Sequence, residues 1–133
     1  MKNHRGISPR QEAAAERALF QAVLTLRSVE ECRDFFRDLC TPAELEAMSD
    51  RWAVVEWLER RGKLTFSHQE LWQAVKGGER FAESSDLDRT LSHLARHGYV
   101  REVPRARQGP GRPSRPDFEV NPAAMRDRSG VLV

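Results

Sequence analysis

Between Gln11 and Arg27 apolar residues return every three or four positions, at Ala15, Leu19, Ala22, Val23 and Leu26, the spacing of one buried helix face. The ten residues before it are polar, contain Gly6 and Pro9, and read as a flexible arm. Ser28 with Glu31 three positions on has the form of a capping box, and the helix it opens carries Cys32, Phe35, Phe36 and Leu39 on one side. Thr41, Pro42 and Glu44 signal a third helix, which runs to a stop at Gly62. Its stripe of Leu45, Met48, Trp52, Val55 and Leu58 is the longest in the chain, and Val54 and Trp57 add a second apolar edge. Such a helix needs cover on two sides, as a central or dimer-interface helix would.

Past Gly62 the period shortens. "KLTF" has the β-branched and aromatic residues of a small strand, and Ser67 with Glu70 caps the helix "HQELWQAVKGG", ended by Gly77 and Gly78. A polar connector leads to Ser85, read as the cap of "DLDRTLSHLARHG", which Gly98 closes. "YVREV" alternates as a half-buried strand does. "RQGPGRPSRP" then admits neither helix nor central strand, and "DFEV" restores the alternation before Asn121 and Pro122. From Pro42 the order is therefore helix, strand, helix, helix, strand, loop, strand. A helix pair followed by a two-stranded hairpin is the winged helix-turn-helix arrangement, in which the second helix enters the major groove and the hairpin tip touches the backbone or minor groove.

Charge sharpens this picture. The formal net charge is +2, but between Tyr99 and Pro116 five arginines face Glu102 alone, a local balance of +4 that leaves −2 for the rest. Positive charge gathers where a phosphate footprint would be sought. On the preceding helix Leu87, Leu91 and Leu94 cluster on one side, and Arg89, Ser92, His93 and Arg96 cluster opposite as the candidate base- and phosphate-reading face. In the wing, Arg105, Arg107 and Arg115 are expected phosphate contacts, and Arg112, between Gly111 and Pro113, is suited to a narrow minor groove. Asp86 and Asp88 would repel phosphate, but lie in the first turn, where the helix dipole favours anions.

Other chemistries find little support. No apolar run reaches the roughly 18 residues of a membrane helix, and the first residues lack the apolar core of a secretory signal, so no membrane partner and a cytoplasmic location are expected. Cys32 and Cys40 are then expected to stay reduced, at a spacing that suits neither a redox pair nor a zinc ribbon. His93 and His97 stand four apart without a third ligand nearby, and neither a phosphate-binding glycine loop nor a nucleophile motif is present. The chain is therefore read as no enzyme, with no catalytic residue, no metal and no cofactor. Trp52, Trp57 and Trp72 fall on apolar stripes and read as core or interface.

The segment "LTLRSVEECRDFFRDLCTPAELEAMSDRWAVVEWL", Leu24 to Leu58, resembles the helical region of the Trp-repressor-like superfamily, most specifically through "DLCTPAEL" and Arg51. In that superfamily such helices build an intertwined dimer, so the resemblance implies a homodimer. Leu45 stands where Trp repressor has the arginine beside its bound tryptophan. Further on, "GRPS" leading into "DFEVNP" is similar to the wing of generic winged-helix domains. The expected fold is mainly α, with N-terminal dimerisation helices followed by a winged helix-turn-helix with a small β-hairpin wing. Residues 1–10 form the arm, 11–41 the dimerisation helices, 42–122 the DNA-binding domain and 123–133 a tail. The expected function is sequence-specific binding of double-stranded DNA by a homodimeric transcriptional regulator at a palindromic site. The alternative is a winged-helix protein-interaction module, or an accessory of replication or partition.

Overall fold

The computed structural model describes residues 6–78, 80–104, 111 and 115–125. These residues are mainly helical, with one small antiparallel sheet, as the sequence leads one to expect. They fall into two compact units, the first ending at Leu45 and the second starting at Glu46.

In the first unit, α1 spans Pro9–Val23 and α2 spans Val29–Leu39. Helix α1 starts inside the stretch expected to be an arm. Ser8 Oγ accepts from the Gln11 N–H at 3.2 Å and Gln11 Oε1 accepts from the Ser8 N–H at 2.8 Å, a capping box with Pro9 at the first helical position. The helix also stops short of Arg27, where the Ala22 carbonyl accepts from both the Thr25 hydroxyl, at 2.6 Å, and the Thr25 N–H, at 3.1 Å. Only half of the box expected at α2 forms. Ser28 Oγ accepts from Glu31 N–H at 3.0 Å, while the Glu31 carboxylate turns to the Arg27 N–H at 3.4 Å. No residue of α1 or α2 is buried, and Phe20, Leu24, Val29 and Leu39 are 58%, 84%, 70% and 59% exposed.

Helix α3, Pro42–Arg61, opens as expected: Thr41 Oγ1 accepts from Glu44 N–H at 3.2 Å, and Glu44 Oε1 accepts from Thr41 N–H at 2.8 Å. It closes at Gly62, whose φ of +67° needs a residue without a Cβ. Its inward face differs from the expected stripe. Val54 and Leu58 are fully buried, with Ala53, Val55 and Trp57 packed beside them, whereas Met48 and Trp52 stand 43% and 46% exposed. At 100° per residue, residues 54 and 58 centre on a direction about 120° around the helix from residues 48 and 52, so the second unit's core takes Val54 and Trp57 of the expected edge together with Val55 and Leu58 from the C-terminal part of the expected stripe.

Strand β1 (Thr65–Ser67) leads into α4 (His68–Val75), where Ser67 and Glu70 exchange the two bonds of a capping box at 3.0 and 3.1 Å. Helix α5 spans Ser84–Arg96 and is followed by β2 (Val100–Val103) and β3 (Asp117–Val120). The start of α5 corrects the expected cap. Ser85 is the second helical residue, Glu83 takes the cap position, and Asp86 Oδ2 accepts from the Glu83 N–H at 3.1 Å. The strands pair antiparallel in the order β1-β3-β2, with Phe66 opposite Phe118 and Val100 opposite Val120. Phe66 and Phe118 stack at 5.2 Å, and Trp57 meets Phe66 edge-on at 5.9 Å. Around them Leu71, Phe81, Leu87, Leu91 and Leu94 complete the core.

Replacing Leu58 with Ala should therefore lower unfolding free energy by about 2–5 kcal/mol in urea titration. Leu64, 45% exposed, should cost about 1 kcal/mol at most when shortened to Ala.

Candidate nucleic-acid interface

The candidate reading face is set by what α5 buries. Leu87, Leu91 and Leu94 are 0%, 2% and 7% exposed, and Thr90 turns inward beside them, its hydroxyl 3.4 Å from the Asp86 carbonyl. With these inside, 3.6 residues per turn carry Arg89, Ser92 and Arg96 outward, and all three are exposed. Arg89 and Arg96 form no ion pair among the described residues. His93 sits on the same face but is half-buried, its ring 4.3 Å from that of His97.

Burial is the main reason that His93 titrates below its ordinary value of 6.5, and the positive charges of Arg51, His97 and Arg96 push the same way. Arg51 reaches this neighbourhood from α3. Sequence marks Arg51 only through a family resemblance, and carries no signal that it bears on the histidine of α5.

The far end of α5 is fixed by a turn that also places the hairpin. Tyr99 N–H donates to Leu94 O at 2.9 Å and Gly98 N–H to Ala95 O at 3.1 Å, a Schellman motif around Gly98 at φ +74°. Asn121, just past β3, binds this turn twice, with its backbone N–H on Tyr99 O at 2.9 Å and its amide nitrogen on Gly98 O at 3.1 Å.

At the opposite end, Arg115 meets α5. Its Nη1 lies 3.1 and 3.4 Å from the two oxygens of Asp88, and 2.8 and 3.3 Å from Nε2 and Nδ1 of His68, the buried first residue of α4. His68 Nε2 is in turn 2.7 Å from Asp88 Oδ1. Nε2 cannot both donate to Asp88 and accept from the guanidinium, so which of the two it bonds depends on the tautomer of the ring. The Asp88 and Arg115 side chains are 47% and 56% exposed, so their pairing contributes about 1 kcal/mol at most. Asp86 and Asp88, expected to be phosphate-repelling but structural, hold the start of α5 and the approach to β3. Among the other wing residues, Arg105, Arg107 and Arg112 lie outside the described residues. Arg101 pairs across the hairpin with Glu119, at 2.6 and 2.8 Å.

Two successive helices, the second with a polar face outward, are thus followed by a hairpin anchored to that second helix. Residues 15–73 match the family described as Trp repressor protein, from α1 into α4. The match bears out the resemblance seen between Leu24 and Leu58, and it continues past Gly62. YerC of Bacillus subtilis (strain 168), an uncharacterized protein, is 42% identical over 40 residues, which is 30% of this chain and 38% of that protein. The chain thus spans about two fifths of the length of this relative. No solved structure matches. No helix among the described residues is long and apolar enough to cross a membrane.

The depressed His93 has a direct check. Its ring should titrate below 6.5 by NMR, and Arg51→Gln should move the midpoint upward by removing one of the opposing charges. Because the folded value lies below the unfolded one, His93 stabilises the fold fully above pH 6.5 and progressively less as pH falls through its folded value.

Proposed function

We propose that the protein is a homodimeric transcriptional regulator that binds double-stranded DNA in a sequence-specific way, with α5 as the reading helix and the β2–β3 hairpin as its wing. The observation that carries the reading is the outward face of α5, where Arg89, Ser92 and Arg96 are exposed beside half-buried His93 while the leucines opposite them fill the core. Arginine pairs with guanine bidentately in the major groove, and serine or histidine reaches bases or phosphates. The match of α1–α4 to Trp repressor proteins supports the regulator class.

The dimer is supported by the first unit, whose helices leave apolar side chains on the surface. The exposed side chains of Phe20, Leu24, Val29 and Leu39 are apolar surface that a second copy would cover. Two-fold symmetry then calls for a palindrome with half-sites about 34 Å apart, one turn of the duplex. Arg105, Arg107 and Arg112 of the wing are assigned to backbone or minor-groove contact by their charge and their place in the chain.

Selection of binding sites from random duplex DNA tests this reading. The wild-type protein should enrich a palindromic motif that an Arg89→Ala/Arg96→Ala variant does not enrich, and affinity should fall steeply with added salt. Enrichment by neither protein at any salt concentration would remove the regulator reading and leave the protein-interaction module.

A further inference from the structure

We propose that Arg115 is a positioning residue and not a phosphate contact. Through Asp88 and His68 it fastens the start of β3 to the start of α5, so that wing and reading helix meet DNA as one body. This rests on the DNA-binding reading above.

The fastening has two points. Arg115 precedes β3 and bonds Asp88 near the start of α5, at 3.1 Å. Asn121 follows β3 and bonds Gly98, just past the end of α5, also at 3.1 Å. Each end of the strand is thus tied to the corresponding end of the helix. His68 brings in a third element, because it opens α4, is buried, and shares both Asp88 and Arg115.

Electrostatics point the same way. Asp88 is half-exposed, adjoins Arg89 in the chain, and stands one helical turn before Ser92 on the edge of the outward face. An unpaired carboxylate there would repel the phosphates that the face is built to meet. The Arg115 guanidinium neutralises it, so the pair presents no net charge, and a cation already balanced inside the protein releases no counterion when DNA binds. Arg115 is therefore separated in role from Arg89 and Arg96, although sequence places it among the arginines of the wing.

The test compares the salt dependence of binding to one duplex for wild type, Arg115→Gln, Asp88→Asn and Arg89→Gln, alongside NMR of the His68 ring without DNA. Arg89→Gln should reduce the slope of log affinity against log salt by about 0.9, while Arg115→Gln, which uncovers the Asp88 carboxylate but removes no phosphate contact, should weaken binding with a clearly smaller change of slope. Asp88→Asn, nearly isosteric and the second variant should Arg115→Gln fold poorly, frees the guanidinium and should steepen the slope by about 0.9. In the free protein both substitutions should shift the His68 ring signals, and the double variant should not show the sum of the two shifts. A loss of slope in Arg115→Gln equal to that in Arg89→Gln would overturn the proposal, as would His68 signals indifferent to either change. If the wild-type protein binds the duplex at no salt concentration, the DNA-binding reading fails by itself, and the His68 signals alone decide whether the fastening exists.

Discussion

The arrangement of the second unit depends on the one-sided burial of α5. Leu87, Leu91 and Leu94 share a core with Val54 and Leu58 of α3 and the Phe66–Phe118 stack of the sheet. Each leucine contributes about 1.5–3 kcal/mol by leaving water, so rotating the helix to present another face would expose several kcal/mol of apolar surface. The outward set of Arg89, Ser92 and Arg96 is fixed by that cost and by helical periodicity alone. The exposed ion pairs around it are too weak to hold the fold, at about 1 kcal/mol or less each. The hairpin lies where it does because Val100, Phe118 and Val120 are buried in the same core.

Most signals that act within four residues are legible in the sequence, the box read at Ser28 and the cap read at Ser85 being the exceptions. The reciprocal bonds of Thr41 with Glu44 and of Ser67 with Glu70, the stops at Gly62 and Gly98, and the alternation of both hairpin strands all form as their residue types predict. The box of Ser8 with Gln11 is equally local. It is masked by Gly6 and Pro9, which look like breakers, although proline suits the first turn of a helix. What sequence does not show is which apolar positions meet the core. On α3 the expected stripe is split: Leu58 and Val55 join Val54 at the core while Met48 and Trp52 stay about half-exposed, a division made by partners distant in sequence.

The same limit applies to charge. Between Tyr99 and Pro116 a balance of +4 suggests one basic surface, but two of its arginines are described and both are paired internally, Arg101 with Glu119 and Arg115 with Asp88. Asp88 lies 27 positions from Arg115, and no periodicity links them. Likewise Arg51 lies well before α5 in sequence, yet its charge bears on His93. A count of charges along the chain therefore misses both that Arg101 and Arg115 are paired and that Arg51 adds to the positive charge around His93.

These pairings shift the candidate chemistry toward α5, which the family match, ending at residue 73, does not cover. On that helix burial, and then the same cations that would attract a phosphate, Arg51 of α3 with His97 and Arg96, lower the titration of His93 and so disfavour its protonated form. A phosphate placed among them reverses the local balance, because its negative charge favours the protonated ring. His93 would then take up a proton as DNA binds, and the face would gain positive charge on contact. Linkage requires that such a protein bind more tightly as pH falls toward the unperturbed histidine value, although the same fall weakens the free fold through the same residue. The opposing signs follow from one ring in two surroundings, with and without the anion.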